Sequence, residues 1–400
     1  MSIVLIEELA LFTLEVGILS LINLIKKKMD QSPRRSISYY EYMEMALYSP
    51  SLGYYAKEKI KVGKEGDFYT NSSVGDVYGQ TLAHIIADML SRLPESEPKY
   101  LVEFGGGDGR LMAQILSEWL ETMPTFMREV QPIMIEKSEF HRGLQEKQLR
   151  DFPVLWVKGW DELIIQKGSI NGVIFSNELL DAFPIYIAEW SRGKWHEVRV
   201  GWNEQRGELE EQIDEITDQA FLDYCHQEEV HIPKRDGYRL EMNRDAGRWL
   251  KEIAEGLKTG YLITVDYGFL RPELYIPQRN KGTVMCYHQH TATEDVLSLP
   301  GEKDITTHVN FSYLMEEGEK NGLKNLGFFT QSQFLINGGI LSRLQSHQES
   351  DPFHGAVSKR NRAIKQLIMP GGMGDTFKVL VQSKGKVERE VLGVVQKGWV

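Results

Sequence analysis

Between Tyr100 and Phe175 short apolar runs alternate with amphipathic segments, and that rhythm restricts the fold more than any other feature of the chain. Tyr100–Phe104, Pro132–Ile135, Val154–Val157 and Gly172–Phe175 read as strands, while Arg110–Leu120 and Phe140–Leu149 carry helical spacing between them. Strands that are apolar on both faces and separated by helices pair in parallel and are covered on both sides, so an α/β fold with a Rossmann-like sheet is predicted. The rhythm resumes at Tyr261–Val265. It continues with a helix over 310–321, a strand over 324–329, helices near 338–346 and 355–368, and a strand at Phe377–Val381.

Two stretches stand outside it. Residues 36–94 combine helical signals with tyrosine- and glycine-rich loops. In 185–213 the alternation of Trp195, Glu197 and Arg199 with His196, Val198 and Val200, between turns at Arg192-Gly193-Lys194 and Gln205-Arg206-Gly207, reads as an inserted β-meander. An acidic helix over Glu211–His226 and an amphipathic helix over Arg244–Lys258, stopping at Gly260, complete the insertion. The expected division is an N-terminal lobe over 29–98, a core over 99–184 and 260–383, an inserted subdomain over 185–259, and a tail over 384–400.

Residues 1–28 are set apart because Ile3 to Ile25 is almost wholly apolar, long enough to span a bilayer, and followed by three lysines. Glu7, Glu8 and Glu15 oppose insertion. The expectation is therefore a helix packed on the body, or a dispensable extension, with no membrane role. The 46 basic against 57 acidic residues, a net charge of −11, exclude a broad phosphate-gripping surface and favour a cationic partner or a small ligand over nucleic acid. Cys225 and Cys286 are too few for a disulfide framework, which points to a reducing compartment and a cytoplasmic protein.

The chemistry concentrates at strand ends. Glu103-Phe104-Gly105-Gly106-Gly107-Asp108-Gly109-Arg110 follows a strand and opens a helix, the setting of a nucleotide-binding turn. Its glycines fit the frame G-x-G-x-G at Gly105, Gly107 and Gly109. Arg110 breaks the dinucleotide fingerprint, and the phosphate-loop motif is absent. Ile133-Met134-Ile135 ends in Glu136, where a carboxylate can accept both ribose hydroxyls of an adenosine. Glu103 suits a cationic amino-acid moiety better than a pyrophosphate, so S-adenosylmethionine is favoured over NAD.

The next strand ends in Asn177-Glu178-Leu179-Leu180-Asp181, where open α/β sheets handle ligands. Glu178 and Asp181 suit a guanidinium, whose planar donors pair with carboxylates, and Asp266-Tyr267-Gly268 is expected on the same rim. His288, His290, Asp304 and His308 lack the spacing of a helical metal motif. They are read as substrate-gating loops, with no metal site.

Taken together these segments resemble the MidA-like methyltransferases, a family that includes a mitochondrial complex I assembly factor methylating a protein arginine. The likeness runs from about Ile37 to Leu380. It is carried by Leu47-Tyr48-Ser49-Pro50 with Gly53-Tyr54-Tyr55, Gly66-Asp67-Phe68-Tyr69-Thr70, the glycine turn, Asn177 to Pro184, Asp266-Tyr267-Gly268, Asp304 to Val309, and Met373 to Leu380. The chain departs from the family pattern at Gly106, Arg110 and Leu179-Leu180, and in the loop from Thr70 to Gly79. The resemblance implies a class I methyltransferase sheet of seven strands with the last antiparallel. It also implies S-adenosylmethionine bound by Phe68, Thr70, Glu103, Gly105, Gly107, Gly109, Glu136 and Asn177, and transfer to a protein arginine by Glu178, Asp181, Asp266 and His308. An assembly factor that kept the fold and lost the chemistry is the competing expectation.

Overall fold

The computed structural model describes residues 18, 20–57, 71–288, 291–346 and 355–395 of the 400. Its central sheet holds β1 (Lys99–Phe104), β2 (Val130–Ile135), β3 (Leu155–Val157), β4 (Ile170–Asn177), β5 (Leu257–Phe269), β6 (Lys324–Thr330) and β7 (Phe377–Lys384) in the order β6-β7-β5-β4-β1-β2-β3. β1 to β5 run parallel, and β7 is antiparallel to both of its neighbours. A two-residue strand, Val309–Asn310, pairs with the end of β5.

Both faces of this sheet are apolar because the side chains alternate between two cores. Leu101, Val173, Phe175, Ile263 and Val265 join the core beneath the helices Val77–Ser91, Arg110–Thr122 and Ala356–Ile368. Val102, Ile133, Ile174 and Leu262 join the opposite core with the helices Trp160–Lys167, Arg244–Gly256 and Phe311–Lys320. Some boundaries differ from the sequence reading. Glu211–Asp214 lies in the strand Glu208–Asp214, which pairs with Lys194–Asn203, and the acidic helix is confined to Gln219–Glu228. Around 338–346 only a single 3-10 turn forms, Ile340–Arg343, because Gly338 and Gly339 end the helix Gln331–Asn337.

The N-terminal lobe and the meander, expected as separate units, share a sheet. Ser36–Ser38 pairs with Lys194–Asn203, next to Tyr186–Ser191 and Tyr238–Met242. Ser38 then caps the helix Tyr39–Tyr48 through a reciprocal bond with Glu41. The segment expected to be dispensable contributes Leu21 and Ile25, both fully buried, to the core beneath this sheet. The rest of the apolar run, residues 3–17 and 19, lies outside the described residues. Among the described residues no helix is long and apolar enough to cross a membrane.

Candidate functional site

Register brings the chemical residues together. Phe104 lies beside Ile135 on β2 and Ser176 on β4, and Asn177 lies beside Val265 on β5. Gly105, Glu136, Glu178 and Asp266 therefore emerge along one edge, where the carboxyl ends of parallel strands leave a crevice.

In the glycine turn Gly105, Gly107 and Gly109 have φ of 63°, 53° and 83°. That region of backbone space favours glycine. A methyl group on Gly105 would stand 2.7 Å from Leu179 Cδ1, whereas one on Gly107 would meet nothing within 4 Å. The turn is thus packed on one side and open on the other. Asp108 Oδ1 accepts the amide of Arg110 at 3.0 Å, closing the first turn of the following helix.

Glu103 is 2% exposed, and its Oε2 is buried with no hydrogen-bond partner. Desolvation, reinforced by the charges of Asp108 and Glu136, pushes its carboxyl up to about 8. Glu136 is tied more firmly: Oε1 accepts the Ser138 amide at 2.8 Å and Oε2 accepts Gln145 Nε2 at 3.1 Å. Burial still raises its carboxyl, against those bonds. The same Gln145 amide reaches Gly107 O, and Gln145 Oε1 accepts Trp156 Nε1 at 3.2 Å. Gln145, on the helix Glu139–Gln148, therefore clamps the glycine turn to Glu136. It is one polar residue on a largely polar helix, and nothing in its spacing singles it out.

These features fit S-adenosylmethionine. A buried carboxylate oxygen without a partner is matched by an ammonium group, the open side of Gly107 admits close approach, and Glu136 retains lone pairs for a diol. Phe68 and Thr70, the remaining expected cofactor residues, lie outside the described residues.

Asn177 sits between the two halves of the crevice, accepting Tyr78 Oη at 2.8 Å and donating to Glu178 Oε1 at 2.9 Å. Glu178 adopts φ 56°, a left-handed backbone rare for its residue type. Its surface is partly accessible, but protein surrounds the carboxylate. Desolvation, then the charge of Asp266, pushes it up to about 8.

Asp266 holds the turn that carries Glu178. Its Oδ2 accepts the amides of Leu179, Leu180 and Asp181 at 3.2, 2.8 and 3.4 Å, and Oδ1 accepts the Tyr267 amide. These donors only partly offset desolvation, which raises the carboxyl to about 7. Asp181 is 5% exposed with Oδ1 unpartnered. Burial and the charges of Asp266, Asp304 and Glu178 hold its carboxyl well above the ordinary range.

Three further residues complete this acidic group. Asp304, on the strand Asp304–Thr306, accepts Tyr55 Oη at 2.8 Å, and Tyr55 stacks on Tyr48 with ring centres 5.5 Å apart. Tyr48 Oη in turn donates to Ala182 O. Their phenols are raised by burial first and then by the charge of Asp304. Tyr48, Tyr55 and Asp304 belong to segments that carry the family likeness, but only the tertiary fold shows that they meet Asp181.

His308 joins a different group. Thr307 donates its amide to Asp181 O, but the next ring packs edge-on against Phe269 at 5.2 Å, and the His308 amide donates to Thr283 Oγ1. Burial and the cations Arg279 and Lys378 lower its imidazole to about 4. Of the other residues weighed as metal ligands, His288 Nδ1 faces Glu302 O, and His290 lies outside the described residues. Among the described residues no group of three His, Cys, Asp or Glu side chains is placed to hold a metal.

Comparison with known proteins agrees with this crevice. Residues 81–329 match a family described as S-adenosyl-L-methionine-dependent methyltransferases. A Burkholderia thailandensis protein whose crystal structure contains S-adenosyl-homocysteine is 27% identical, with 96% of both chains covered and a TM-score of 0.84. The mitochondrial protein arginine methyltransferase NDUFAF7 of Danio rerio is 27% identical over 367 residues, 85% of this chain and 82% of its own length. The Homo sapiens protein of that name is 24% identical over 376 residues, 84% and 78% of the two chains. A glycine turn built for close approach, an unpartnered buried carboxylate beside it and a match over more than half of the sequence lead to one assignment: the chain belongs to the MidA-like family of class I S-adenosylmethionine-dependent methyltransferases.

Proposed function

We propose that this methyltransferase acts on an arginine side chain of a protein substrate, held by Glu178 and Asp181 just past the end of β4. The observation that carries this reading is the acidic group itself: buried carboxylates that raise one another's proton affinity, with Asp181 Oδ1 unpartnered. A guanidinium satisfies such a group better than an ammonium does, because its planar fork presents donors to more than one carboxylate and its flat face suits the stacked Tyr48 and Tyr55. The names of the curated relatives point the same way.

In this reading Glu103, Gly105, Gly107, Gly109, Glu136 and Asn177 hold the cofactor, which when bound supplies a methyl group on a sulfonium. Glu178 and Asp181 orient the reacting nitrogen in line and concentrate charge on it. Methylation of a guanidinium nitrogen requires loss of one proton. A carboxylate whose proton affinity already lies near neutrality is suited to take it. Asp266 acts as a positioning residue, since its oxygens are engaged by the amides of the turn that carries Glu178. Both cysteines are free and buried, which fits a reducing compartment. The curated relatives are named as mitochondrial, and a cytoplasmic setting finds no support in them.

The test is incubation of the protein with methyl-labelled S-adenosylmethionine and a lysate lacking its gene, followed by hydrolysis of the labelled material. Label in methylarginine is the expected result; label in methyllysine or nucleic acid overturns the reading.

A further inference from the structure

Beyond the acidic group lies a cluster of opposite sign. Phe269 is two residues past Tyr267 on β5, about 7 Å along the strand, and the Tyr267 phenol is raised first by burial and then by the nearby charges of Glu178, Asp181 and Asp266. Around the Phe269 ring stand Arg279, whose guanidinium carbon is 4.0 Å from the ring centre, Lys378, whose Nζ is 5.7 Å away, and His308.

Arg279 donates to Glu273 O and Lys378 to Asp375 O. Neither forms a salt bridge with a carboxylate among the described residues. For Lys378, 8% exposed, in a chain carrying 57 acidic residues, that is an unusual position. His308 Nδ1 is buried and has no hydrogen-bond partner.

Arg279 and His308 also line a narrow cleft whose wall includes Tyr275 and Asn310. Glu241 lies in the same wall, but its oxygens are taken by Thr283 and the Val284 amide. Arg279 and His308 therefore border the cleft, with Lys378 behind them on the Phe269 ring, and the carboxylate in the cleft wall is bonded to Thr283 and Val284 rather than to Arg279.

We propose that Arg279, Lys378 and His308 form a carboxylate subsite that reads an acidic side chain of the protein substrate a few residues from the arginine to be methylated. The inference rests on the arginine reading above and adds a rule of selection to it. The acidic group takes the guanidinium, and the basic cluster takes a carboxylate one or two residue lengths along the same rim. Thr307 ties the two together, since its amide bonds Asp181 O and its neighbour His308 belongs to the cluster. Opposed charges at fixed separation reject peptides of the wrong register as well as favouring the right one.

The probe is a set of single-arginine peptides, acetylated and amidated at their ends, in which one aspartate, one asparagine or one lysine is stepped through the positions flanking the arginine. At one or two positions aspartate should lower KM about tenfold relative to asparagine, with kcat little changed, as for a hydrogen-bonded charge. Arg279→Gln should erase that difference. Arg279→Glu should transfer the preference to lysine at the same position, a gain that a misfolded protein cannot produce. If the peptides are methylated on arginine but aspartate and asparagine give equal KM everywhere, the subsite is wrong and the arginine reading stands. If the protein binds S-adenosylhomocysteine but labels no arginine in any peptide, the arginine reading fails and the subsite fails with it.

Discussion

The two halves of the crevice that the proposed function assigns to cofactor and to acceptor are built differently. The cofactor half is local: Glu103 through Arg110 form one strand-to-helix turn, and Glu136 follows the neighbouring strand by a fixed register. The acceptor half is assembled from four distant segments. Glu178 and Asp181 come from the end of β4, Asp266 from β5, Asp304 from a small three-stranded sheet, and Tyr48 and Tyr55 from the N-terminal lobe. A half centred on one strand-to-helix turn and its neighbouring strand ends is read by motif and tolerates drift elsewhere in the chain. A half made of several segments depends on the lobe and the core staying in register, so its selectivity can change while cofactor chemistry remains.

The sharpest way to break this comparison is to remove charge from the acceptor half alone. Glu178→Gln keeps the volume and the bond from Asn177, and should depress methyl transfer about 100-fold or more if electrostatic preorganisation is the main contribution. Affinity for S-adenosylhomocysteine, measured by calorimetry, should stay within about threefold. Asp181→Asn should behave similarly. Transfer at the parent rate in both variants would mean that these acids serve only the fold, and the division into two halves would lose its chemical content.

A smaller effect is expected from the cofactor half. Glu136→Ala removes an acceptor already oriented by Ser138 and Gln145, and should weaken S-adenosylhomocysteine binding by about 1.5–3 kcal/mol. Gln145→Ala leaves Glu136 in place but frees it from the glycine turn, and should cost about 1 kcal/mol in the same titration. If Gln145→Ala is as damaging as Glu136→Ala, the clamp matters more than the acceptor it orients.

The same contrast explains what was legible in the sequence. The central sheet is visible in its apolar runs because strands buried on both faces need no partner to reveal them, and the glycine frame is visible because its backbone admits few other residues. The meander was legible in its turns. Its sharing of a sheet with Ser36–Ser38 was not, because strand pairing across roughly 160 residues leaves no local trace. Asp266 was legible as a strand-end acid, but its engagement by four backbone amides shows only in the fold. The family likeness groups His308 with the acids, whereas one step along the chain from Thr307 takes it to Phe269 and the cations. Spacing placed these residues near the rim without saying which neighbours each one meets.

The mildest test uses pH, and its sign follows from the raised carboxyls. Glu103 lies at about 8 in the ligand-free protein, against about 4.3 for an unperturbed glutamate, so between those values the folded state holds a proton that the unfolded chain has lost. Stability contributed by this group is therefore present at low pH and falls as pH rises through about 8. Glu178 at about 8 and Asp266 at about 7 act in the same direction. Thermal unfolding of the ligand-free protein should show these groups lowering the midpoint from pH 5 to pH 8.5. Binding of S-adenosylhomocysteine, whose ammonium group would favour ionised Glu103, should do the reverse: its affinity should rise from pH 6 to about 8 and then level off, by up to tenfold per unit while Glu103 gives up its proton on binding. Glu103→Gln should flatten that rise while leaving the acceptor half to titrate as before. A slope that persists in Glu103→Gln, or that moves to Glu178→Gln, would place the ammonium contact in the other half of the crevice and erase the boundary between them.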